Sequence, residues 1–440
     1  MKKHNWTKGI LAGLVLSSSM ALYAANFNQD SGREVHDAGL SKNEREQSLQ
    51  RLMSQIDARL MSDQLDHEAS LLKVLVSFNK GHLQQAMDEV EQLIQRAPDF
   101  HLAYLVKGDL IMSRFGTVSD IGQNPLLSTL NKADRDKLQL LRDEAHARLR
   151  GSVERQIGNK VPLQILNLAP SVDKAVLVEK STNRLYVYER TNDNTPPRLV
   201  HDYYISTGKK RGDKKVRGDL KTPEGVYFVT SWIPDEKLPS KYGVGAFPVN
   251  YPNEYDQRIG KTGSGIWLHG TDNGYYSRPP LDSEGCVVLT NIDLKTVMDE
   301  ITPGVTPVVI TEKANWVNVS DWKKQRQEVL TALEQWRKDW SSLDVERFLS
   351  HYDQNFWTSN GHDLQSWKTR KRNVVRNKTY QRIKLSDISL LSYPESEGRP
   401  AMIVARFRQQ YDSNNYKGDI HKRIYLRKQG DQWRIMYEGA

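Results

Sequence analysis

The sequence predicts a multidomain chain with an α-helical N-terminal part, a β-dominated middle and a C-terminal α+β part. Three observations predict it. Apolar residues recur at helical spacing up to about Arg150; short β-rich runs broken by Gly, Pro, Asn and Asp take over from Val161; and a helical stripe followed by three long strand signals closes the chain from Asp321. A length of 440 residues allows this division, at roughly 100–200 residues per domain. With 38% hydrophobic and 27% charged residues and a mean hydropathy of −0.66, a multi-span membrane protein is excluded, yet ordinary cores can form. The single cysteine excludes a disulfide framework and a Cys-rich zinc site.

Residues 1–24 read as a secretory signal. Lys2, Lys3 and Lys8 come with no acid, Gly9–Leu22 is apolar or small throughout, and Ala24 and Ala25 precede polar Asn26. The apolar run is shorter than the ~20 residues of a membrane span. No Cys follows it, so a lipoprotein anchor is excluded; a short uncleaved anchor is the alternative, because Leu22 suits the −3 position poorly. Cleavage after Ala24 removes three lysines and no acid, which lowers the net charge of +9 by three. The expected location is periplasmic, with no stable membrane span after cleavage, and the residual positive charge suits anionic polymers.

Residues 25–40 form a polar leader. Over 41–155 a helical domain is expected. Ser41 and Glu44 make a capping box, and Leu49, Leu52, Met53, Ile56 and Leu60 share one face. Leu71–Phe78, Leu83–Gln95 and Ala103–Met112 read as further helices. The stretch from Gly81 to Gly108 resembles one tetratricopeptide-like pair, but a lone repeat cannot bury its own face. The middle domain, 165–313, carries strand signals at Ala175–Val178, Leu185–Tyr188, Val200–Ser206, Gly225–Trp232, Gly265–His269, Val287–Leu289 and Val308–Thr311. One helix is expected near Ile292–Ile301. In the last domain, 321–440, Val329, Leu333, Trp336 and Trp340 form an apolar stripe and Val345–Tyr352 a second helix. Strands at Tyr380–Leu391, Ala401–Tyr411 and Ile420–Glu438 follow, the last folded back at Gly430-Asp431. Helices first and an antiparallel meander last indicate α+β, and this order resembles the cone-shaped nuclear transport factor 2-like fold. Trp336, Trp340, Phe356 and Trp357 are expected in the core of that cone.

The chemistry concentrates in Gly265–Asn291. An unpaired Cys in an exported protein has no disulfide to explain it, so Cys286 is either a reactive thiol or a small buried hydrophobe. His269 ends a strand and precedes Cys286 by a loop long enough to return the chain to the same sheet end; alone it would read as a satisfied strand-end histidine. Together the two make sense. A thiol of pKa about 8.5 is mostly protonated near neutrality, and an imidazole can hold it as thiolate and later protonate a leaving amine. The Gly270 carbonyl can accept the other ring N–H. Gly285, after Ser283, lets the backbone turn so that N–H groups near Cys286 face a developing oxyanion. No third carboxylate or amide partner is identifiable, so a papain-like triad is unsupported.

These motifs resemble the L,D-transpeptidase (YkuD-type) catalytic domain, with its His-Gly-Thr strand end and Ser-His-Gly-Cys turn. Here they stand as His269-Gly270-Thr271 and Ser283-Glu284-Gly285-Cys286, with Asn291 following. Ser206-Thr207-Gly208, Lys221-Thr222-Pro223-Glu224-Gly225, Tyr242–Asn253 and Gly260–Gly265 match further elements. Glu284 departs from the family's His, and a carboxylate beside the thiol would by itself raise its pKa. The resemblance implies attack at the L-centre of the third residue of a peptidoglycan stem peptide, with release of D-alanine. Cys286 would form a thioester, His269 would shuttle the proton and the Gly270 carbonyl would orient it. An amine acceptor gives a 3–3 cross-link and water a trimmed tripeptide. The resemblance implies no cofactor and no metal. Thr271 and Arg278, between the two motifs, are candidate substrate contacts, although an exposed loop arginine is the plainer reading of Arg278. A helical leader, this domain and a cone-shaped domain together resemble the cell-shape L,D-carboxypeptidases of helical bacteria.

Other classes are weighed against this. Ser70-Leu71-Leu72-Lys73 and Lys261-Thr262-Gly263 mimic two motifs of penicillin-binding serine acyltransferases, but S-x-x-K recurs along the chain and Ser-Asp-Asn is missing. A catalytically inactive wall-binding scaffold remains the rival class. The acid-free basic run Trp367–Lys384 would serve it by touching anionic wall polymers, although a solvated helix and strand face is the simpler reading. Other cell-wall proteins could bind through the N- or C-terminal domain. Nucleic acid is not an expected partner.

Overall fold

The structure is a computed structural model that describes residues 42–440 except 63–65, 116–117, 119–120, 124–128, 155–159, 193 and 396–399. The expected signal, the polar leader and the Ser41 cap lie outside the described residues. The chain divides into two units: the N-terminal helices together with Thr271–Pro280, and the β-rich remainder.

In the first unit, helices α1 (Lys42–Ser62), α2 (His67–Asn79), α3 (Leu83–Arg96) and α4 (His101–Met112) follow the apolar spacing. Leu52 and Ile56 of α1 bury against Ala69, Leu72 and Val76 of α2. Leu71, Val90, Leu93, Val106 and Leu110 pack with Phe100 in a second cluster. Asp66 caps α2, its carboxylate accepting from the Ala69 N–H at 2.8 Å. A further helix, α5 (Lys132–Glu154), has no clean apolar stripe, because its buried side carries Glu144 and Arg148 next to Ala145. No helix among the described residues is long and apolar enough to cross a membrane.

Asp109 of α4 is buried, and its Oδ2 accepts from the Gly122 N–H at 2.6 Å. Burial pushes its carboxyl up to about 6, against the opposing pull of the Gly122 hydrogen bond and Arg142. The folded state therefore holds this proton more tightly than the unfolded chain, and stability falls as pH rises from about 4 through about 6. Asp109→Asn keeps an acceptor for Gly122 without the charge. It is expected to stabilise the protein at pH 7 by roughly 1–3 kcal/mol and to flatten the pH dependence between those values. Urea melts at pH 4.5 and 7 measure both effects.

The second unit begins with β1 (Val161–Pro162) and β2 (Ile165–Asn167). It continues through β3 (Lys174–Glu179), β4 (Arg184–Glu189), β5 (Arg198–Tyr204), β6 (Thr207–Gly208), β7 (Gly225–Phe228), β8 (Ile233–Pro234), β9 (Gly245–Pro248), α6 (Glu254–Arg258), β10 (Trp267–His269), β11 (Leu281–Ser283), β12 (Val287–Val288), α7 (Asn291–Glu300), β13 (Pro307–Thr311) and β14 (Trp316–Val317). One sheet has the order β5-β4-β3-β13-β7 and a second the order β12-β10-β9-β8. Strand β3 is apolar on both faces because both are covered. Val176 and Val178 enter the core between the two sheets with Tyr227, Phe247, Leu268 and Val287. Ala175 and Leu177 enter a core shared with the C-terminal domain.

That domain contains α8 (Val319–Ser341), α9 (Val345–Leu349), β15 (Tyr352–Thr358), α10 (Leu364–Arg376), β16 (Gln381–Ser392), β17 (Met402–Ser413), β18 (Tyr416–Gln429) and β19 (Gln432–Gly439). Its sheet has the order β15-β19-β18-β17-β16-β2. Strand β2, counted from the sequence with the middle domain, thus extends the C-terminal sheet, and the Trp322 indole N–H donates to the Ile165 carbonyl at 2.9 Å. Val329, Leu333, Trp336, Trp340 and Phe356 fill the cone as expected. Trp357 differs: it points to the opposite face, against the shared core. The basic run also divides. Most of its cations are exposed, but the Lys371 ammonium turns inward over the rings of Trp367 (4.2 Å) and Trp340 (4.8 Å), and burial pulls its pKa down to about 7.

Candidate active site

Strand β10 lies between antiparallel β9 and parallel β12, with Leu268 opposite Val287 and His269 opposite Val288. The Leu289 N–H donates to the His269 carbonyl at 2.9 Å and continues the ladder. Leu268 and Val287 are fully buried in the inter-sheet core. Because successive residues alternate faces, His269 and Val288 project from the other face. Cys286 directly precedes β12, the parallel neighbour of the strand that ends in His269.

His269 is 3% exposed, and its Nδ1 lies 2.6 Å from the Gly270 carbonyl oxygen. A carbonyl only accepts, so Nδ1 carries the hydrogen and the lone pair of the neutral ring sits on Nε2. The edge of Tyr242 meets the same ring, with centroids 4.9 Å apart. A Cβ at Gly270 would lie 2.2 Å from Asn291 Oδ1, so a larger residue there must displace that side chain from the Val244 N–H it accepts from at 3.3 Å. Asn291 opens α7, which Thr290 caps by accepting from the Asp293 N–H at 3.0 Å. The Gly270 carbonyl thus stands where it accepts the His269 ring N–H. Tyr242 opens the Tyr242–Asn253 run matched above, but its contact with His269 was not predicted, because it sits in a short 3₁₀ turn without periodicity.

Cys286 is partly exposed, with its Sγ 3.4 Å from the Gly265 carbonyl oxygen. The turn before it is fixed by Ser283, whose hydroxyl donates to the Cys286 carbonyl at 2.6 Å and accepts from the Gly285 N–H at 3.1 Å. Gly285 has φ +131°, and a Cβ there would lie 2.8 Å from the Lys221 carbonyl oxygen. Gly285 therefore makes the turn, and in this structure its own N–H is engaged by Ser283 Oγ. Glu284 is exposed. Thr271 and Arg278 belong with the helical unit, where the Arg278 Nε donates to the Thr271 hydroxyl at 3.3 Å. Arg278 is partly buried, not the free loop arginine its position suggested.

The Ser206–Gly208 and Lys221–Gly225 motifs serve this turn. The Lys209 N–H donates to the Ser283 carbonyl at 2.8 Å, the Asp282 N–H to Ser206 Oγ at 3.2 Å, and the Gly208 N–H to Thr222 Oγ1 at 2.9 Å. Beyond them runs a basic segment whose Lys209, Lys210, Arg211, Lys215 and Arg217 are exposed, a charge that favours substrates bearing carboxylates. The arrangement can activate a thiol through an oriented imidazole, which is the chemistry of acyl transfer.

Two family models match. The L,D-transpeptidase catalytic domain matches residues 173–310 and the Cds6 C-terminal NTF2-like domain matches residues 328–439. No curated protein sequence matches the chain. Among solved structures, Bd1075 of Bdellovibrio bacteriovorus is 31% identical at a TM-score of 0.56, over 63% of this chain and 97% of that one. The helical cell shape determining protein Pgp2 of Campylobacter jejuni is 27% identical at 0.53, over 64% and 96%, and a point mutant of it gives 26% at 0.53 over 67% and 98%. Similarity over nearly the whole of these proteins, with both domains in the same order, places this chain in the L,D-transpeptidase family, in the group whose YkuD-type catalytic domain precedes a nuclear transport factor 2-like domain.

Proposed function

We propose that the chain is a periplasmic peptidoglycan acyltransferase in which Cys286 is the nucleophile. His269 Nε2 takes the thiol proton and the sulfur attacks the carbonyl carbon at the L-centre of the third stem-peptide residue. The C–N bond to D-alanine breaks, and His269 returns the proton to the leaving amine. The thioester then passes to an acceptor. An amine gives a 3–3 cross-link; water gives a tripeptide carboxylate; either releases the Cys286 thiol. The observation that carries this reading is the parallel pairing of β10 with β12 while Nδ1 of His269 is held on the Gly270 carbonyl. It fixes the tautomer that leaves Nε2 basic.

Likeness to a cell-shape determinant supports a role in shaping the wall, and it favours water as the acceptor, since trimming removes tetrapeptide donors without adding bonds. The test is purified enzyme with tetrapeptide-bearing wall fragments in ¹⁸O-labelled water. Hydrolysis is expected to release D-alanine and put one ¹⁸O in the tripeptide carboxyl. Fragment dimers without label would instead establish transfer to an amine. Fragments unchanged in mass would overturn the proposal and leave the scaffold class.

A further inference from the structure

The ten residues Thr271–Pro280 connect the base-bearing strand β10 to the strand leading to Cys286, yet by their contacts they belong with helices α1–α5. The Tyr276 ring lies against Phe100, centroids 4.2 Å apart, and its hydroxyl is 3.2 Å from His67 Nδ1. Beside it, Ser277 Oγ donates to Glu144 Oε1 at 2.7 Å. Glu144 also pairs with Arg148 at 2.9 Å; Arg148 in turn lies 3.6 Å from Glu68 and covers the Phe100 ring. On the helical side this receptor is deeply buried: Phe100 is 1% exposed, Arg148 2%, Glu144 3%, His67 6% and Glu68 8%.

Glu68 also pairs with Arg59 at 3.8 Å, and Glu144, buried beside Arg148, accepts the hydroxyl that the loop brings, a charge-assisted bond in a low-dielectric setting. An aromatic ring and a hydrogen bond at successive positions hold the loop by two different forces. Left to itself, a ten-residue loop would sample many conformations, each fixed only at an entropic penalty.

We infer that the helical domain is a clamp for the active-site loop, with Phe100 and Glu144 as positioning residues that act through Tyr276 and Ser277. Held in one conformation, the loop fixes the path of the chain that leaves His269-Gly270 and returns to Leu281–Cys286, so less ordering is left for substrate binding to impose. This rests on the acyl-transfer reading above and gives the helices a role within that reaction.

The test uses the full chain. Tyr276→Ala is expected to speed amide hydrogen exchange of 271–280 at least about tenfold, and to lower kcat/KM for the tetrapeptide about tenfold, mainly through KM. Alkylation of Cys286 by iodoacetamide should stay within about twofold of wild type, because that reaction reports on the thiol and imidazole alone. Tyr276→Phe, which keeps the ring contact, should recover most of the loss. Ser277→Ala is a gentler variant carrying the same expectation should Tyr276→Ala fold poorly. Unchanged exchange, or faster exchange with unchanged kcat/KM, overturns the inference. A wild-type enzyme that releases no D-alanine would sink the functional reading instead, and the exchange difference would then decide by itself whether the helices hold the loop.

Discussion

Cys286→Ala is expected to release D-alanine at least about 10³-fold more slowly than wild type while melting at the same temperature. The thiol is partly exposed and lies outside the apolar core clusters, so its loss is expected to leave the fold intact. The hydroxyl of Ser283 is not free to replace it, because its Oγ already donates to the Cys286 carbonyl and accepts from the Gly285 N–H. Cys286→Ser should recover little, since an alkoxide is far harder to generate than a thiolate with the same imidazole. A coupled D-alanine assay alongside thermal melts makes the measurement. Release at the wild-type rate from the alanine variant would remove sulfur from the mechanism.

The second large effect is on stability. Asp256 is completely buried: its carboxylate meets Lys261 Nζ at 3.0 Å and accepts from the hydroxyls of Tyr227 at 2.9 Å and Tyr393 at 3.3 Å. Burial raises its pKa even against the pull of Lys261. Asp256→Ala leaves the buried ammonium with Asp213 and the Glu224 carbonyl, and removes a carboxylate that accepts from two tyrosines. A loss of about 3–5 kcal/mol is expected. Asp256→Asn keeps an acceptor and should lose less. Urea unfolding measures both; a loss below about 1 kcal/mol for the alanine variant would show that Asp213 alone holds Lys261.

The candidate site was legible because its residues lie in two short runs, His269-Gly270-Thr271 and Ser283–Cys286, each needing particular residue types at adjacent positions. What escaped has a physical cause in each case. Helix α5 buries Glu144 and Arg148, so the apolar stripe that announces a helix is interrupted where it packs. Strand β2 shows its β character but not its partner, which lies more than 200 residues away in β16. Lys371 is one cation among many in composition, and only the rings of Trp340 and Trp367 distinguish it. The Gly285 amide could be placed near the nucleophile from sequence, but not its bond to Ser283.

Because Ile165–Asn167 pairs with β16 and α8 follows β14, the YkuD-type fold is threaded into its neighbour as an insertion, entering and leaving through the same structure. A stop codon after Thr311 would orphan that edge strand and bare Tyr186, Tyr188 and Phe228, which pack with Leu391, Val404 and Tyr425. Deleting the cone therefore confounds recruitment with misfolding. Genetic dissection of this protein calls for point changes inside an intact polypeptide, not for scissors.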